Sequence, residues 1–343
     1  MQQHIPIYHQ QSRLDRLARN KDLRLSIDHE CEAVRKFVII DWQGNCFVCP
    51  CEAWLPVSVG NILDFDSLDQ IWNNDISREI QQDLDQKKYS WCAVDMCGIR
   101  NHDIRFDRYT ISINIDPSCN LRCPSCRSDS IMITQGPEFE QKLSYIQHLL
   151  RLLEQFDKPC HIIMSGNGDV LASHIMRPII HEFHPKANQT FRLFTNGLLL
   201  RKQLEKSDIL PQITQYQISI DAGSADVYER VRLGGKWHNL MENLDFLKPI
   251  ADQYQAEVWL MLVVQKDNWK DIGNFADLAV RYGWTGNITK LVDWGTWHNF
   301  DEQDVLGNQQ HADHLQAKEL LARLRDRNLP GIHLDPALMS LIS

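Results

Sequence analysis

The chain has 343 residues, of which 43% are hydrophobic, and it carries a formal net charge of −9. This size is sufficient for one large domain with a buried core and a smaller second domain. The negative charge argues against general binding to nucleic acid or to a membrane surface, because both partners are themselves anionic. No apolar run reaches the ~18 residues of a membrane span, and the first 20 residues lack the apolar segment of a secretory signal. We therefore expect a cytoplasmic protein with neither a nucleic-acid nor a membrane partner.

The first 105 residues are predicted to form a small α+β domain that is rich in cysteine. Residues 36–41 and 46–49 are expected to be the two strands of a hairpin, joined by a turn at Gln43-Gly44-Asn45. One helix is expected over residues 67–87, with Asp66 or Ser67 as its N-cap.

Residues 106–300 alternate strand and helix signals, which is typical of α/β proteins with a parallel sheet. Six short segments rich in β-branched and aromatic residues are the predicted strands: 109–115, 160–164, 191–195, 216–220, 257–264 and 287–292. The expected fold is α/β, with a sheet that is open or curled into a partial (β/α)6 TIM-like barrel. In such folds the chemistry lies at the carboxyl ends of the strands. Residues 301–343 are predicted to add one helix, ended by Pro330-Gly331.

The cysteines are concentrated in one part of the chain. Nine of the ten lie between Cys31 and Cys126. Disulfides are rare in a reducing compartment, whereas clustered cysteines with short spacings indicate ligands of a metal or a cluster. Cys160 stands apart at the head of an apolar strand, and it is expected to be a plain core residue.

A CxxxCxxC motif follows the first predicted strand of the α/β region. Cys119, Cys123 and Cys126 can bind three irons of a [4Fe–4S] cluster and leave the fourth iron without a protein ligand. The open iron can chelate the amino and carboxylate groups of a methionine moiety, and an electron from the cluster can then cleave a sulfonium. The alternative is a zinc knuckle completed by Cys97 or His102.

On this motif the chain resembles the radical S-adenosylmethionine (SAM) superfamily over residues 109–291. The resemblance implies a [4Fe–4S] cluster and SAM as cofactors, and a reductant such as flavodoxin or ferredoxin as a partner. It also implies cleavage of SAM to a 5′-deoxyadenosyl radical. No catalytic side chain is assigned, and the aromatic residue that the family usually has before the third cysteine is Ser125 here.

Two further stretches extend the resemblance to the SAM contacts. Asn167, Gly168 and Asp169 follow the second strand, where the family carries a Gly-Gly-Glu turn that meets the methionine amino group. An ordinary turn between strand and helix is the alternative. Ser219 and Arg232 resemble the serine and arginine that bind the methionine carboxylate, although Arg230 on the same predicted helix is a competing candidate.

The N-terminal cysteines resemble the SPASM and Twitch auxiliary domains, which normally follow the radical domain but here precede it. The resemblance implies that Cys31, Cys49, Cys92 and Cys97 ligate a second [4Fe–4S] cluster. Cys46 and Cys51 are extra, and either one is an alternative to Cys49. Four thiolates also suit structural zinc, which is the competing interpretation.

These resemblances predict an enzyme that abstracts hydrogen from a C–H bond of a ribosomally made peptide or protein and leads to oxidation or a cross-link. One alternative is a radical SAM enzyme that acts on a sugar or another small molecule. Another is a non-catalytic iron–sulfur protein that binds a peptide or a partner. Residues 291–298 contain aromatics and a histidine at the end of the sixth strand, and they are expected either to contact substrate or to form a lid.

Overall fold

The computed structural model describes residues 27, 29–52, 54–94 and 97–342. Within these residues the chain forms two compact units that are interleaved along the sequence. The first unit comprises the chain up to Asp116, Thr134–Asn167 and Phe183–Thr190. The second unit comprises Pro117–Ile133, Gly168–Glu182 and the chain from Phe191 onward. The expectation about the first 20 residues lies outside the described residues.

The first unit is built on four strands in the order β2-β1-β3-β4. Their bounds are β1 (Phe37–Ile40), β2 (Cys46–Phe47), β3 (Tyr109–Ile113) and β4 (Cys160–Met164). The predicted hairpin of β1 and β2 is confirmed, with shorter strands. The sequence does not predict that β1 also pairs in parallel with β3, which pairs in parallel with β4.

The helices of the first unit are α1 (Ala33–Lys36), α2 (Leu68–Asn73), α3 (Asp75–Asp85) and α4 (Pro137–Gln155). The single helix predicted over residues 67–87 is wrong, because the chain is extended at Asn74, with ψ 170°. The Asn74 side chain accepts a hydrogen bond from the backbone N–H of Ser77 at 3.0 Å and so caps α3. Ser67 is the N-cap of α2, but it makes no side-chain capping bond there.

Aromatic packing and a buried lysine hold the first unit together. The Trp72 ring lies 4.8 Å from that of Tyr109, and its Nε1 donates to the backbone oxygen of Phe37 at 3.0 Å. On α4, the buried Lys142 ammonium donates to the backbone oxygens of Trp42 (2.7 Å) and Ile115 (2.9 Å). These bonds fix the ends of strands that would otherwise expose unpaired carbonyls.

The second unit is built on five parallel strands in the order β5-β6-β7-β8-β9. Their bounds are β5 (Gln189–Thr195), β6 (Ile213–Ser219), β7 (Glu257–Val264), β8 (Thr285–Lys290) and β9 (Ile332–Leu334). The strands therefore confirm an α/β fold with a parallel sheet. β9 is absent from the prediction, which expects no strand after residue 292.

The helices of the second unit are α5 (Arg177–His181), α6 (Leu200–Leu204), α7 (Ala225–Val231), α8 (Trp237–Tyr254), α9 (Ile272–Tyr282), α10 (His314–Asp326) and α11 (Pro336–Ile342). On α8, Leu240, Leu244 and Leu247 are buried, as their spacing predicts. The tail holds two helices and a strand, where the sequence predicts one helix. In the part of the chain that the structure describes, no helix combines the length and the apolarity that a membrane crossing needs.

The two faces of the strands in the second unit differ in burial. Along β5, β6 and β7, fully buried residues alternate with half-buried ones. The pairing register places the half-buried residues of neighbouring strands side by side, for example Phe194 with Gln217 and Gln217 with Trp259. One face of this sheet therefore carries a half-buried layer that includes polar side chains.

Candidate active site

The CxxxCxxC motif lies in a loop that the second unit holds at several points. The backbone N–H of Cys119 donates to the Ile131 oxygen at 2.9 Å, which closes the loop on itself. The Ser118 hydroxyl accepts from the Ile133 N–H at 2.9 Å, and the Ser118 carbonyl accepts from the Asp169 N–H at 2.8 Å. The loop conformation is thus fixed by backbone hydrogen bonds on both sides of the first cysteine.

Gly168 makes a close backbone contact with this loop. A Cβ atom at this position would lie 2.1 Å from the Ser118 oxygen and 2.6 Å from the Pro117 oxygen. Because backbone oxygens cannot move away as a flexible side chain can, only glycine fits here. The prediction that Gly168 allows close backbone approach agrees with this contact.

Each of the three cysteine sulfurs has an N–H donor directed at it. For two of the three the donor is a guanidinium, whose positive charge favours a thiolate. N–H groups at this position are also the donors that surround the sulfurs of iron–sulfur clusters and tune them. The pairs are Cys119 Sγ with Leu121 N (3.4 Å), Cys123 Sγ with Arg232 Nη1 (3.6 Å) and Cys126 Sγ with Arg127 Nη2 (3.8 Å).

Burial differs among the three cysteines. Burial raises the pKa of the Cys119 thiol to about 11, and it raises the pKa of Cys123 as well, against the opposing charge of Arg232. Cys126 is exposed. The donor set of three thiols with N–H partners therefore suits a cluster with three protein ligands, as the sequence predicts.

Arg232 is held by a buried ion pair. Its Nη2 lies 2.8 Å from Asp221 Oδ2. Although burial opposes the charge of Arg232, Asp221 and Cys123 outweigh it and raise the pKa of the guanidinium above its usual value. Asp221 has φ +54°, a backbone conformation that is costly for a residue other than glycine, and its Oδ1 accepts from the Val263 N–H at 2.8 Å.

Asp169 is surrounded by donors from its own unit. Its carboxylate accepts from the Thr195 hydroxyl at 2.9 Å, from the Asn196 N–H at 2.6 Å and from the Leu171 N–H at 3.0 Å. Burial raises the pKa of this carboxyl, while these donors act in the opposite direction. The role predicted for Asp169, which is to accept from the methionine ammonium, stays a prediction beside these contacts.

The other two predicted SAM contacts are placed differently. Ser219 is the last residue of β6 and is half-buried, two positions before Asp221. Asn167 belongs to the first unit. The competing Arg230 donates to the Asp267 backbone oxygen at 3.1 Å, and Cys123 has Arg232 rather than Arg230 as its donor.

The structure brings the predicted auxiliary cysteines together in the first unit. The pKa of the Cys92 thiol is raised well above its usual value, first by burial and then by Cys49, Cys31 and Cys97. Burial likewise raises the pKa of Cys49, with further contributions from Cys31, Cys97 and Cys51. Interactions of this kind require nearby sulfurs, so the four predicted ligands and Cys51 form one group.

Cys46 faces elsewhere. Burial raises the pKa of its thiol, and the next contributions come from Asp41 and Asp64 rather than from another cysteine. This separates the two extra cysteines, because Cys51 acts on Cys49 and Cys97 whereas Cys46 does not.

The auxiliary thiols share a local feature with Cys119. Cys31, Cys49 and Cys97 each accept from the backbone N–H two residues later, at Ala33, Cys51 and Ile99 respectively. Such N–H donors orient sulfur ligands and neutralise their charge. Across the described residues, no three or more His, Cys, Asp or Glu side chains converge on the position of a single metal ion.

Three residues of the site are not among the sequence-predicted ones. Asn196 has its Nδ2 3.9 Å from Cys119 Sγ and 2.8 Å from Asn120 Oδ1, and its sequence signal was the Thr-Asn-Gly turn. Arg127 is signalled only by its position directly after the third cysteine. Asp221, the partner of Arg232, lies in the Ser-Ile-Asp stretch that the sequence singles out, but there the serine alone is assigned a role.

The loop after β8 leaves two large apolar side chains exposed. Leu291 is buried, whereas Val292 is 54% exposed and Trp294 is 67% exposed. Substrate contact and lid both remain predictions for residues 291–298.

A three-thiol loop after a strand and a separate group of clustered thiols define the class of iron–sulfur proteins with two cluster sites. Residues 113–279 match the family model of the radical SAM superfamily, and residues 31–98 match SPASM, an iron–sulfur cluster-binding domain. The chain belongs to the radical SAM superfamily and carries a SPASM domain. Its cofactors are accordingly a [4Fe–4S] cluster, SAM and an auxiliary iron–sulfur cluster. These matches decide against zinc in both regions.

The chain is similar to two curated relatives. Mycofactocin maturase MftC of Mycolicibacterium smegmatis is 24% identical over 216 residues, which are 62% of this chain and 52% of the relative. The MftC of Mycobacterium ulcerans is 27% identical over 177 residues, 51% of this chain and 45% of the relative. The chain thus spans about half the length of the curated relatives it matches.

Two solved structures are also similar to the chain. Streptococcus suis SuiB has a TM-score of 0.39 and 10% identity, over 78% of this chain and 63% of that one. The enzyme anSMEcpe with bound AdoMet has a TM-score of 0.37 and 18% identity, over 54% of this chain and 50% of that one.

Proposed function

We propose that this radical SAM enzyme abstracts hydrogen from a C–H bond of a ribosomally made peptide or protein, leading to oxidation or a cross-link. The observation that carries the proposal is the loop with Cys119, Cys123 and Cys126, in which every sulfur has an N–H donor. Three cysteines bind three irons and leave one iron for SAM. When bound, the cluster and SAM supply a 5′-deoxyadenosyl radical.

The residues of the chain divide into three roles. The three cysteines hold the cluster, while Leu121 N–H and the guanidinium groups of Arg127 and Arg232 stabilise the sulfurs. Ser219 and Arg232 bind the methionine carboxylate, and Asn167, Gly168 and Asp169 form the turn that meets its amino group. Because Asp221 already holds Arg232 at 2.8 Å, the guanidinium is positioned before SAM arrives.

Cys31, Cys49, Cys92 and Cys97 are the proposed ligands of the auxiliary [4Fe–4S] cluster, which would bind substrate or accept an electron. A cytoplasmic flavodoxin or ferredoxin is the proposed electron donor. The peptide substrate is supported by the resemblance to SPASM enzymes and by relatives that are named maturases. A sugar or another small molecule is the competing substrate class.

The first experiment measures iron, sulfide and zinc in anaerobically reconstituted protein, together with Mössbauer spectra. The unaltered protein is expected to contain about eight irons, and the Cys119/Cys123/Cys126→Ala variant about four. Cys160→Ala is the matched control, because Cys160 is a buried cysteine in the strand core and should leave the count at about eight. An unchanged iron count in the triple variant would remove the basis of the proposal.

The second experiment separates an enzyme from a non-catalytic iron–sulfur protein. The reconstituted protein is incubated with dithionite and SAM, and 5′-deoxyadenosine is quantified by chromatography. Formation of 5′-deoxyadenosine that disappears in the triple variant supports the enzyme. A protein that holds both clusters and binds SAM, yet forms no 5′-deoxyadenosine, would be the non-catalytic binder.

A further inference from the structure

Arg192 has unusual surroundings on the half-buried face of the second unit's sheet. Its Nη2 donates to Gln217 Oε1 at 2.7 Å. The guanidinium carbon lies 4.8 Å from the centre of the Phe194 ring and 5.3 Å from that of Trp259. Two aromatic rings and one amide therefore hold the guanidinium in place.

The charge of Arg192 has no counter-ion among the described residues. It makes no ion pair there, and its Nε is buried without a hydrogen-bond partner. Glu257 acts on it only at longer range, and the carboxylate of Glu257 accepts from Gln215 Nε2 at 2.9 Å. Burial consequently lowers the pKa of Arg192 below its usual value.

Arg232 in the same unit shows the normal solution for such a charge. It has Asp221 at 2.8 Å, and its pKa is raised rather than lowered. Removing a guanidinium from water without a partner costs several kcal/mol, so buried charges are nearly always paired. An unpaired cation held rigidly by Gln217 and two rings is an arrangement that a bound anion would complete.

A second unsatisfied donor lies on the same face. Asn287 Nδ2 is buried and has no hydrogen-bond partner among the described residues. The register pairs Asn287 with Met261, and Met261 with Ser219. Ser219, a proposed SAM contact, therefore belongs to the same half-buried layer as Arg192, Gln217 and Asn287. The layer leads from the proposed SAM contact at the end of β6 to the unpaired guanidinium.

We propose that this layer is a substrate-binding surface and that Arg192 binds a carboxylate of the substrate, either a chain terminus or an acidic side chain. Gln217 fixes the plane of the guanidinium so that its remaining N–H groups point at the ligand. Trp259 and Phe194 stack on its faces, and Asn287 donates to a peptide carbonyl. The inference rests on the proposed function, since it names the chemistry of the substrate.

The test uses reconstituted protein and two probes, N-acetyl-triglycine as the free acid and as the carboxamide. Binding is followed by calorimetry and by tryptophan fluorescence at constant ionic strength. The free acid is expected to bind at least tenfold more tightly than the amide, and Arg192→Met is expected to abolish this preference. Arg201→Met is the matched control, because that guanidinium also stacks on a ring, 5.1 Å from Phe246, but lies on α6 outside the layer.

Folding is monitored by urea unfolding of the same variants. Arg192→Met should be as stable as the unaltered protein or more so, because it removes an unpaired charge. Arg192→Lys keeps the charge without the planar fork, and it should lose most of the preference; it decides the matter if the methionine variant does not fold. Equal binding of acid and amide by the unaltered protein, or an undiminished preference in either Arg192 variant, overturns the proposal.

The result is distinguishable from a failure of the proposed function. The preparation used for binding is also assayed for 5′-deoxyadenosine. If 5′-deoxyadenosine forms while acid and amide bind equally, the Arg192 surface is refuted and the radical SAM activity stands. If the acid preference is present but no 5′-deoxyadenosine forms, the surface stands as a binding site of a non-catalytic protein.

Discussion

Individual atoms decide how the radical loop is held. The Ser118 carbonyl accepts from Asp169, and its hydroxyl accepts from the Ile133 N–H, so one residue ties the loop on two sides. Gly168 fills the remaining space so closely that a single methyl group would overlap the backbone. Stability and cofactor binding are therefore coupled at this residue.

Gly168→Ala is expected to destabilise the protein by about 1–3 kcal/mol, because the added methyl group must displace backbone. The measurement is urea unfolding of the protein before cluster reconstitution, followed by the iron count after it. Gly273→Ala is the matched control: a Cβ at Gly273 meets nothing within 4 Å, so this helical substitution should stabilise by about 0.5–1 kcal/mol. Equal stability of the two variants would contradict the steric argument.

The auxiliary thiols permit a second prediction about single residues. Cys92→Ala should lower the iron content from about eight to about four, because Cys92 lies among the proposed ligands. Cys46→Ala should leave the count unchanged, because Cys46 interacts with Asp41 and Asp64 instead. Both side chains are buried thiols, so their packing losses are similar and iron analysis isolates the ligand role. A comparable iron loss in Cys46→Ala would refute the assignment.

The strands and helices show how far sequence patterns reach. The strands Cys160–Met164 and Glu257–Val264 are predicted at both ends, because their apolar runs are bounded by polar turns. β5 begins two residues earlier than predicted, at Gln189, whose fully buried amide donates to the Leu153 oxygen at 2.8 Å. A polar residue that is satisfied by a distant carbonyl resembles a loop residue in sequence.

The same limit applies to pairing and to the site. β9 has only three residues after a turn, too few to show a period, and it forms because β8 offers an edge. The cysteine spacing predicts the grouped thiols, since covalent proximity along the chain places them together. Arg127 and Asp221 were missed because their roles depend on where the fold brings a guanidinium or carboxylate, which no local pattern records.

The break between α2 and α3 gives a prediction for an element. Asn74→Ala removes the acceptor for the Ser77 N–H and should cost about 1 kcal/mol of unfolding free energy. Asn73→Ala is the control, since its side chain only donates to the exposed Asp69 oxygen at 2.8 Å. Chemical denaturation of both variants provides the comparison. A loss in Asn73→Ala as large as in Asn74→Ala would show that the cap contributes nothing.

At the scale of the molecule, the units do not follow the order of the sequence. β1 from the cysteine-rich region pairs with β3, which leads into the radical loop, and both belong to the first unit. The division proposed from sequence, with domains of residues 1–105, 106–300 and 301–343, thus separates strands that are hydrogen-bonded neighbours. A sequence-based boundary marks a change of composition, whereas a folding unit is set by which strands pair.

A chain reduced to residues 106–343 is therefore expected to be poorly soluble, because one edge of β3 loses its partner and exposed strand edges promote aggregation. A chain beginning at Ile27 keeps every described contact and should remain soluble with an unchanged melting temperature. Expression yield and circular dichroism of the two truncated chains test this. A soluble, folded 106–343 chain that binds about four irons would show that the radical domain is autonomous.

The exposure of Cys126 has a consequence for the handling of the protein. All ten cysteines are described, and Cys126 is the exposed one among them. Attack by oxygen or peroxide follows accessibility, so corrosion of the radical cluster should start at this corner and proceed through a sulfenic acid. A preparation exposed to air should lose SAM cleavage while the more enclosed auxiliary cluster keeps its colour, so a brown sample is no proof of an active one.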